Sequence, residues 1–378
     1  MAAVEAGPRV VACPSVHANE LPRTPDGSLQ LWLLAAGRHE PLVVRGAFSD
    51  SLAAQRWTFD ELAGRCAAAD AKGKGGPQSA QNGLIEQGAT RPPQAVLPSE
   101  YLRALSHDEV AAPPAAGLLP PGGATTRATE PVLLDWAAIS TRDKQYLAHW
   151  DMFSYLPECK REGAAIAAAL WPRSTLCWDF AWAGPAGTVT GLHFDRPNNW
   201  FTQVRGIKEL VMFPQSEAPR LPLNEKYDPG ASLCAVDVTR LVGAAAAADV
   251  AAAAAGDAAA ATRVRAAALM RSAHGWHVRL EPGDTLFVPK RTFHTVFALS
   301  PSLSISSFGH SPPELLTTGV SIAVLDALHG LGLYRWGACS CHAAGARRPW
   351  EQIALVAAAA VACIALCARG LAALVLVQ

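Results

Sequence analysis

Short runs in which apolar and polar residues alternate dominate the middle of the chain. They are rich in β-branched and aromatic residues, and Gly, Pro, Asn and Asp separate them, which is typical of short β-strands joined by tight turns. The runs are STLCWDFAWA (174–183), GTVTGLHFD (187–195), NWFTQVRG (199–206), KELVMFP (208–214), GWHVRLEPGDTLFVPK (275–290) and FHTVFALSPSLSISSF (293–308). Many short strands with tight turns predict a mainly β sandwich or barrel.

Other segments interrupt this pattern. Residues 71–98 and 111–129 are rich in Gly, Pro, Ala and polar residues, and this composition predicts loops. Residues 243–262, GAAAAADVAAAAAGDAAAAT, form an alanine-dominated low-complexity run. Alanine favours helix but offers little to pack, so we interpret this run as an insertion within the domain. Residues 312–334 have mixed helical periodicity, which predicts one or two helices after the β-region.

The end of the chain, ARRPWEQIALVAAAAVACIALCARGLAALVLVQ, contains a nearly unbroken apolar stretch from Ile353 to Val377. A bilayer-spanning helix needs roughly 20 apolar residues, and this run reaches that length only if Arg369 is tolerated. Arg347, Arg348 and Trp350 flank it as at the cytoplasmic end of a span. We therefore predict a transmembrane helix over 350–377 that tethers an intracellular domain facing the cytosol. A buried helix that closes a soluble cytoplasmic or nuclear protein is the alternative, because arginine is costly within a bilayer.

Composition narrows the function further. The chain has 378 residues, of which 50% are hydrophobic, so it is long enough for a large core. Lys and Arg (32) balance Asp and Glu (32), and this balance gives no reason to expect a nucleic-acid partner. The nine cysteines are scattered, which favours reduced thiols in an intracellular protein. The N-terminus has no apolar run after a basic start, so no secretory signal is predicted.

The stretch GLHFDRPNNW holds candidate metal chemistry. His193 and Asp195 flank Phe194 on a predicted strand, and side chains two residues apart point to the same side. A non-haem Fe(II) site needs two imidazoles and one carboxylate on one face of the metal, and His294, at the start of a later strand, is the best candidate for the third ligand. These ligand types also suit manganese and zinc. Taken alone, a His-x-Asp pair is more often a coincidence.

The flanking sequence resembles a known family. Residues 190–214, TGLHFDRPNNWFTQVRGIKELVMFP, and 281–299, EPGDTLFVPKRTFHTVFAL, closely resemble the JmjC domain. They are most similar to its cupin-like hydroxylase branch, which includes the asparaginyl hydroxylase that acts on hypoxia-inducible factor. The shared pattern is Thr, His-x-Asp, Asn, Gln, Gly-x-Lys and Phe-Pro, then Pro-Gly-Asp-x-Leu-Phe-x-Pro with His five residues after that proline. Residues 40–65 are similar to the N-terminal signature of the same proteins, a helix and strand packed under the barrel.

The resemblance implies a mainly β, double-stranded β-helix fold of the jelly-roll or cupin type, with flanking helices. This domain would span residues 31–310, after an N-terminal tail over 1–30 and before post-barrel helices and a juxtamembrane segment over 311–346. The gap between the two candidate histidines is longer than is usual for the branch, and the alanine-rich run accounts for it. The aromatic pair before the last histidine is reduced to Thr292 and Phe293.

The resemblance also implies an Fe(II)- and 2-oxoglutarate-dependent oxygenase that consumes O2. Matched residue by residue, the iron ligands would be His193, Asp195 and His294. The distal carboxylate of 2-oxoglutarate would bind Lys208 and Thr190, and on a looser alignment Tyr146. The side chains that would line the substrate cavity are Asn199, Gln203, Ser306 and Trp200. For Trp200, packing in the core is the simpler interpretation.

The predicted reaction is hydroxylation of a side chain in a protein or peptide substrate, with release of succinate and CO2. Three alternatives stay open: N-methyl-lysine demethylation, a cupin-fold isomerase or metal-binding module that does not use 2-oxoglutarate, and a non-catalytic scaffold. Residues 312–334 would also allow a homodimer, by analogy with the helix pair of relatives.

Overall fold

The computed structural model describes residues 8–73, 75–81, 94–111, 146–223, 231–234, 236–241, 243–311 and 313–314. The strands are β1 (Arg9–Ala12), β2 (Ser15–His17), β3 (Leu42–Arg45), β4 (Gln78–Gln81), β5 (Gln94–Val96), β6 (Tyr146–Trp150), β7 (Leu176–Gly184), β8 (Val189–Asp195), β9 (Asn198–Arg205), β10 (Lys208–Phe213), β11 (Ala231–Leu233), β12 (His274–Leu280), β13 (Thr285–Val288), β14 (Phe293–Ala298) and β15 (Ser302–His310). The helices are α1 (Trp32–Ala35), α2 (Leu52–Arg56), α3 (Phe59–Asp70), α4 (Pro98–Ala111), α5 (Met152–Tyr155), α6 (Pro157–Glu162), α7 (Ala164–Leu170), α8 (Gly243–Ala254) and α9 (Ala258–Met270).

The strands form two sheets. One has the order β1-β12-β10-β14-β8-β11, and the other has the order β2-β3-β13-β9-β15-β7-β6-β4-β5. From β7 onward, the chain passes repeatedly from one sheet to the other, so that β8, β10, β12 and β14 lie in the first sheet and β9, β13 and β15 in the second. This winding confirms the mainly β prediction and is consistent with the cupin or JmjC fold.

The two sheets face each other across a shared apolar interior. One buried cluster takes side chains from both sheets: Val43, Phe201, Leu286 and Val288 from the larger one, and Leu210, Met212, Val278 and Val296 from the smaller one. A second cluster joins the outer face of the larger sheet to the flanking helices through Trp57, Phe59, Trp150 and Trp200. These helices therefore cover the outer face of the larger sheet, and the space between the sheets is available for a site.

The predicted strands are confirmed. Each alternating run becomes one strand, or two where a turn interrupts it, as between β12 and β13. That turn depends on Gly283, whose φ is 93°, a conformation that favours glycine. A Cβ at this position would also lie 2.9 Å from the backbone of Ser49. The strand and helix predicted within residues 40–65 are β3, α2 and the first part of α3.

Two segments predicted as irregular contain strands. The predicted tail, residues 1–30, includes β1, which pairs in parallel with β12, and β2, which pairs in parallel with β3. The predicted loop over 71–98 includes β4 and β5, which pair with each other. Strands of three or four residues are too short to show an alternating pattern. Their pairing is decided by sheet edges that the local sequence does not encode. The predicted loop over 111–129 lies outside the described residues.

The alanine-rich run forms a helical hairpin, α8 and α9. Within the run, Ala246 and Ala260 are buried, and beyond it Ala266 and Met270 of α9 join the apolar cluster on the outer face of the smaller sheet. The Asp249 carboxylate lies at the centre of the hairpin and accepts from Arg240 (2.5 Å) and Arg263 (2.8 Å). Small side chains let the helices approach each other closely, and this buried ion cluster fixes their register.

In the described part of the chain, no helix is both long enough and apolar enough to cross a membrane. The predicted span over 350–377 lies outside that part, as do nearly all of residues 311–346.

Candidate metal centre

The structure brings together the three residues proposed as metal ligands. His193 and Asp195 lie on β8, and His294 lies on the neighbouring strand β14, directly opposite His193 in the ladder. Asp195 Oδ1 is 3.9 Å from His193 Nε2, and its Oδ2 is 3.6 Å from His294 Nε2. One ligand atom from each residue lies within 4.8 Å of the others. Two imidazole nitrogens and one carboxylate oxygen therefore converge on a single point.

Hydrogen bonds fix the orientation of both imidazoles. His193 Nδ1 is 2.7 Å from the carbonyl oxygen of Gly191, and His294 Nδ1 is 3.0 Å from that of Thr292. Because a carbonyl can only accept, each Nδ1 donates its proton and each Nε2 keeps a lone pair aimed at the shared point. Burial, reinforced by His193, lowers the pKa of His294 to about 4. His294 is therefore neutral near pH 7, as a metal ligand must be. The residues present fit a divalent non-haem metal.

A β-bulge in β8 adds a hydroxyl to the same interior. His193 is paired with His294, and Thr190 with Val296, so two residues of β8 oppose the single Thr295 of β14. Without the extra residue, side chains three positions apart would point to opposite faces. The bulge instead turns Thr190 to the inner face that holds His193. The Thr295 hydroxyl donates to the Thr190 carbonyl at 2.8 Å and holds this irregularity in place.

Tyr146 reaches Thr190 from the opposite sheet. The Tyr146 hydroxyl is 3.0 Å from Thr190 Oγ1, so two of the residues matched to the 2-oxoglutarate site lie side by side. Tyr146 is buried, and burial raises its pKa to about 12 although the Thr190 hydrogen bond acts in the opposite direction. The phenol is therefore neutral and available as a donor. The two hydroxyls form a polar pair beside the metal-ligand cluster.

Lys208 provides a buried amine in this interior. It begins β10 opposite Ala298 of β14, and its Nζ lies 5.3 Å from the centre of the Phe201 ring. Only 7% of the residue is exposed, and burial lowers its pKa to about 7. Among the described residues, no carboxylate forms an ion pair with it. Burying a charge without a partner is unfavourable, so an anionic ligand that enters the cavity would stabilise the charged form of this amine.

These groups follow one another along β14. His294 lies opposite His193, Val296 opposite Thr190, and Ala298 opposite Lys208. Successive pairs are two residues apart, which corresponds to a step of about 7 Å along a strand. The metal ligands thus lie at one end of the series, the hydroxyls at the next step, and the ammonium group furthest along. This order suits an elongated dicarboxylate that binds metal with one end and Lys208 with the other.

Two of the predicted cavity residues lie together on the facing sheet. Asn199 Nδ2 is 3.4 Å from Ser306 Oγ, and both residues are buried. The Asn199 Oδ1 atom has no hydrogen-bond partner among the described residues. It is therefore an unused acceptor for a ligand.

The other two predicted cavity residues, Gln203 and Trp200, contact other parts of the protein itself. Gln203 Nε2 donates to the carbonyls of Arg205 (2.6 Å) and Gly206 (2.9 Å), and its Oε1 accepts from Ser304 (2.7 Å), so its amide is fully engaged within the chain. Trp200 is fully buried against Phe287, with ring centres 5.0 Å apart, in the cluster beneath the helices. Strand alternation places Trp200 on the face opposite to Asn199. The prediction that Trp200 lines the cavity is corrected, and core packing describes it.

His149 is a neighbour of the site that the sequence did not reveal. It lies in β6 with a φ of 51°, which is unusual for a residue other than glycine. Its ring centre is 4.4 Å from that of Trp182 and 5.4 Å from that of Phe180. Desolvation lowers its pKa, Asp195 raises it and His193 lowers it, so its ring is electrostatically coupled to the metal-ligand cluster. Side chains normally alternate between the two faces of a strand. A residue with left-handed backbone breaks this alternation, so the face on which the His149 side chain lies could not be predicted from the sequence.

Comparison with known proteins is consistent with this fold. Residues 127–314 match the family model described as "Cupin-like domain". The chain is 34% identical over 125 residues to JmjC domain-containing protein F of Dictyostelium discoideum. This aligned segment covers 33% of this chain and 25% of that protein. The chain is 25% identical over 169 residues to Jumonji C domain-containing protein 5 of Drosophila melanogaster, which covers 43% and 36%. The chain thus spans about a quarter of the first relative's length and about a third of the second's.

Solved structures of YcfD from Escherichia coli are also similar to this chain. One has 15% identity and a TM-score of 0.37, and covers 80% of this chain and 58% of that chain. Another is described as a ribosomal oxygenase in complex with cobalt and succinic acid, with 14% identity, a TM-score of 0.37 and coverage of 82% and 59%. A likeness this weak does not extend to activity. Residues 127–314, just under half of the chain, are thus similar to cupin-like domains, and the two curated relatives that match parts of the chain are named for the JmjC domain.

Proposed function

We propose that the protein is an Fe(II)- and 2-oxoglutarate-dependent oxygenase that hydroxylates a side chain of a protein substrate. The observation that carries this proposal is the cluster of His193, Asp195 and His294 in the same interior as Lys208, a buried amine with no acidic partner among the described residues. A cupin-fold metal-binding module that does not use a dicarboxylate would have no need for such an amine.

Each group has a defined task. His193, Asp195 and His294 would hold the metal, and the two backbone carbonyls that accept from the imidazoles would keep the ligands oriented without a cosubstrate. Lys208 would bind the distal carboxylate of 2-oxoglutarate. The hydroxyl pair of Tyr146 and Thr190 would donate a hydrogen bond to the same carboxylate. Bound iron supplies the redox step, in which O2 and 2-oxoglutarate give succinate, CO2 and one oxygen atom inserted into a substrate C–H bond.

The surrounding residues limit access of water to this chemistry. Phe201, Leu210 and Val296 are buried in the apolar cluster between the sheets. A low-dielectric interior strengthens the contact between an ammonium group and a carboxylate. Asn199, with its free Oδ1 beside Ser306, would orient the end of the ligand nearest the metal or the substrate group next to it.

The test of this proposal needs no known substrate. The full chain, with Fe(II) and ascorbate, is incubated with 2-oxoglutarate, and succinate is measured over time. We expect slow uncoupled formation of succinate that is abolished in His193→Ala and strongly reduced in Lys208→Met. An active wild type whose rate and 2-oxoglutarate affinity were unchanged by Lys208→Met would refute the assigned cosubstrate site. Wild type that binds iron but never forms succinate would refute the oxygenase.

The choice of hydroxylation rests on the resemblance to the cupin-like hydroxylase branch, including its asparaginyl hydroxylase. Mass spectrometry of peptides captured by the inactive His193→Ala variant, then treated with wild type, tests this choice. Addition of one oxygen atom to a peptide supports hydroxylation. Loss of a methyl group from a methylated lysine, with release of formaldehyde, would instead identify a demethylase.

We also propose that residues 350–377 tether the domain to a membrane, with the domain on the cytosolic side. The support is the apolar run flanked by Arg347, Arg348 and Trp350. Carbonate extraction of the full chain, compared with a truncation at Ala346, tests the tether. Release of both into the soluble fraction would end this proposal, whereas retention of the full chain alone would support it.

A further inference from the structure

A basic cleft lies beside the metal-ligand cluster. It has a volume of about 670 Å³, and its charged lining residues are Arg38, His39, Arg196, Lys290, Arg291 and Glu314. Four of these are arginine or lysine and only one is an acid, although the chain as a whole has no net charge. The cleft therefore concentrates positive charge in one place on an otherwise balanced protein.

The cleft shares its backbone with the metal ligands. Arg196 directly follows Asp195, and the Arg291 N–H donates to the Asp195 carbonyl at 2.8 Å. Thr292, which also lines the cleft, holds the His294 ring through its carbonyl. None of the three ligand side chains lines the cleft itself. A molecule lying in it would therefore be next to the reaction centre and outside it.

Three arginines in the cleft have no acidic partner among the described residues. Lys290 is neutralised by Glu314 at 2.6 Å, whereas Arg38, Arg196 and Arg291 form no ion pair there. The Nε of Arg196 is buried and lacks a hydrogen-bond partner in the described part of the chain. A buried donor that stays unpaired is unfavourable, so a ligand that pairs with it is stabilised.

The backbone holds Arg291 in an unusual conformation. Its φ is 61°, in the left-handed region that residues with a Cβ rarely adopt. The turn is closed by the bond from the Arg291 N–H to Asp195 and by the bond from the Thr292 N–H to the Pro289 carbonyl at 3.1 Å. Strained backbone of this kind clusters at ligand-binding sites. The strain places an exposed guanidinium at the rim of the cleft.

We infer that this cleft docks an acidic segment of the protein substrate, next to the residue that is hydroxylated. Guanidinium groups pair with carboxylates through two parallel hydrogen bonds, so three of them recognise closely spaced Asp and Glu side chains. A nucleic acid needs a longer cationic track for its phosphates, and this cleft is short and contains Glu314. The inference rests on the proposed oxygenase function, because it identifies the substrate class of that site.

The test is a binding measurement on the metal-free full chain without 2-oxoglutarate. A fluorescent peptide rich in Asp and Glu is compared by anisotropy with a matched peptide that carries Asn and Gln instead. We expect the acidic peptide to bind at least about tenfold more tightly, with an affinity that falls as salt is added. Equal binding of the two peptides would overturn the inference, as would an oligonucleotide that binds while the acidic peptide does not.

Substitutions locate the interaction. Arg196→Gln with Arg291→Gln should weaken binding of the acidic peptide by about tenfold or more, whereas Arg161→Gln with Arg265→Gln, two exposed arginines outside the cleft, should leave it unchanged. Binding unaffected by the cleft pair would refute the location. The charge reversal Arg196→Glu with Arg291→Glu should instead select a lysine-rich peptide, a gain that misfolding cannot produce.

The outcome is independent of the oxygenase test. The binding measurement contains no metal or cosubstrate, and the succinate assay contains no peptide. Succinate formation without acidic-peptide binding would remove only the docking inference. Acidic-peptide binding without succinate formation would remove the proposed activity and leave a cleft that binds acidic segments.

Discussion

The Tyr146 hydroxyl lies 3.0 Å from the Thr190 hydroxyl and joins the two sheets at one point beside the metal-ligand cluster. Tyr146 belongs to β6 of the larger sheet, and Thr190 to β8 of the smaller one. Each hydroxyl can donate only one hydrogen bond, so while the two bond each other, only one of them has a proton left to donate to a carboxylate beside the pair. Their contributions to ligand binding should therefore be coupled.

A double-mutant cycle measures this coupling. Tyr146→Phe and Thr190→Val should each raise the KM for 2-oxoglutarate about fivefold, since each removes one hydrogen bond worth about 1 kcal/mol. In the double variant, the increase in KM should be smaller than the product of the two single increases, because the two hydroxyls bind the same carboxylate as a pair. Tyr155→Phe is the matched control: its hydroxyl bonds Asp70 in the helical layer, so it should lower Tm without changing KM. Multiplicative effects of the two substitutions would contradict a shared ligand.

The metal ligands give a second prediction. His294→Ala should weaken binding of Co(II), used as a spectroscopic substitute for Fe(II), by at least about a hundredfold, because one of three protein ligands is lost. His274→Ala is the control, since His274 is exposed at the start of β12 and should leave metal binding unchanged. The measurement is titration of the cobalt absorption bands. Equal affinities of the wild type and His294→Ala would show that the metal does not bind here.

Much of this site follows from the sequence, because its ligands obey the two-residue period of a strand. His193 and Asp195 share a face for that reason, and His294, at the start of a later strand, is the best candidate for their partner even before the resemblance matches it to the same position. Thr190 is different: simple alternation would place it on the opposite face from His193, and only the bulge opposite Thr295 turns it inward. A bulge depends on the partner strand, which one segment of sequence does not contain.

The features that the sequence did not predict correctly have similar physical causes. Trp200 adjoins Asn199 in a motif that resembles cavity residues, yet alternation turns it into the core beneath the helices. His149 escaped attention because its left-handed backbone breaks the period of β6. The short strands β1 and β2 exist because β12 and β3 offer edges to pair with. In each case tertiary context decides what local pattern leaves open.

Lys208 predicts the pH dependence of cosubstrate binding. Its pKa is lowered to about 7 by burial, so the amine loses its charge as pH rises through that value. A dicarboxylate binds the ammonium form, so 2-oxoglutarate affinity should fall above pH 7 by up to about tenfold per pH unit. Lys208→Arg stays charged throughout and should give a flat profile. Lys160→Met, at an exposed position, should reproduce the wild-type profile. A wild-type affinity independent of pH between 7 and 9 would contradict this role.

The same amine affects stability in the ligand-free protein. The unfolded chain holds the lysine proton up to a pKa of about 10.4, whereas the folded chain releases it near 7. Between these values the unfolded state binds more protons, so the free energy of unfolding should increase with pH. Lys208→Met should remove this increase. Urea unfolding of metal-free wild type and variant at pH 7 and 9 measures it, and parallel changes in both proteins would exclude Lys208 as the cause.

The helical hairpin gives a prediction that does not involve the active site. Asp249 is buried between Arg240 and Arg263, which lower its pKa against the opposing effect of burial. Asp249→Ala leaves two arginines without their acid and should reduce the free energy of unfolding by about 3 kcal/mol. The contribution of Asp249 is present above about pH 4 and should be lost as pH falls below that value, because the pKa of Asp249 is lower in the folded than in the unfolded chain.

Asp257→Ala, which removes only the N-cap of α9, should cost about 1 kcal/mol and serves as the comparison. Urea unfolding at pH 7 and pH 3.5 tests both substitutions. Equal losses for the two at pH 7 would show that the ion cluster contributes no more than a helix cap to holding the hairpin on the barrel.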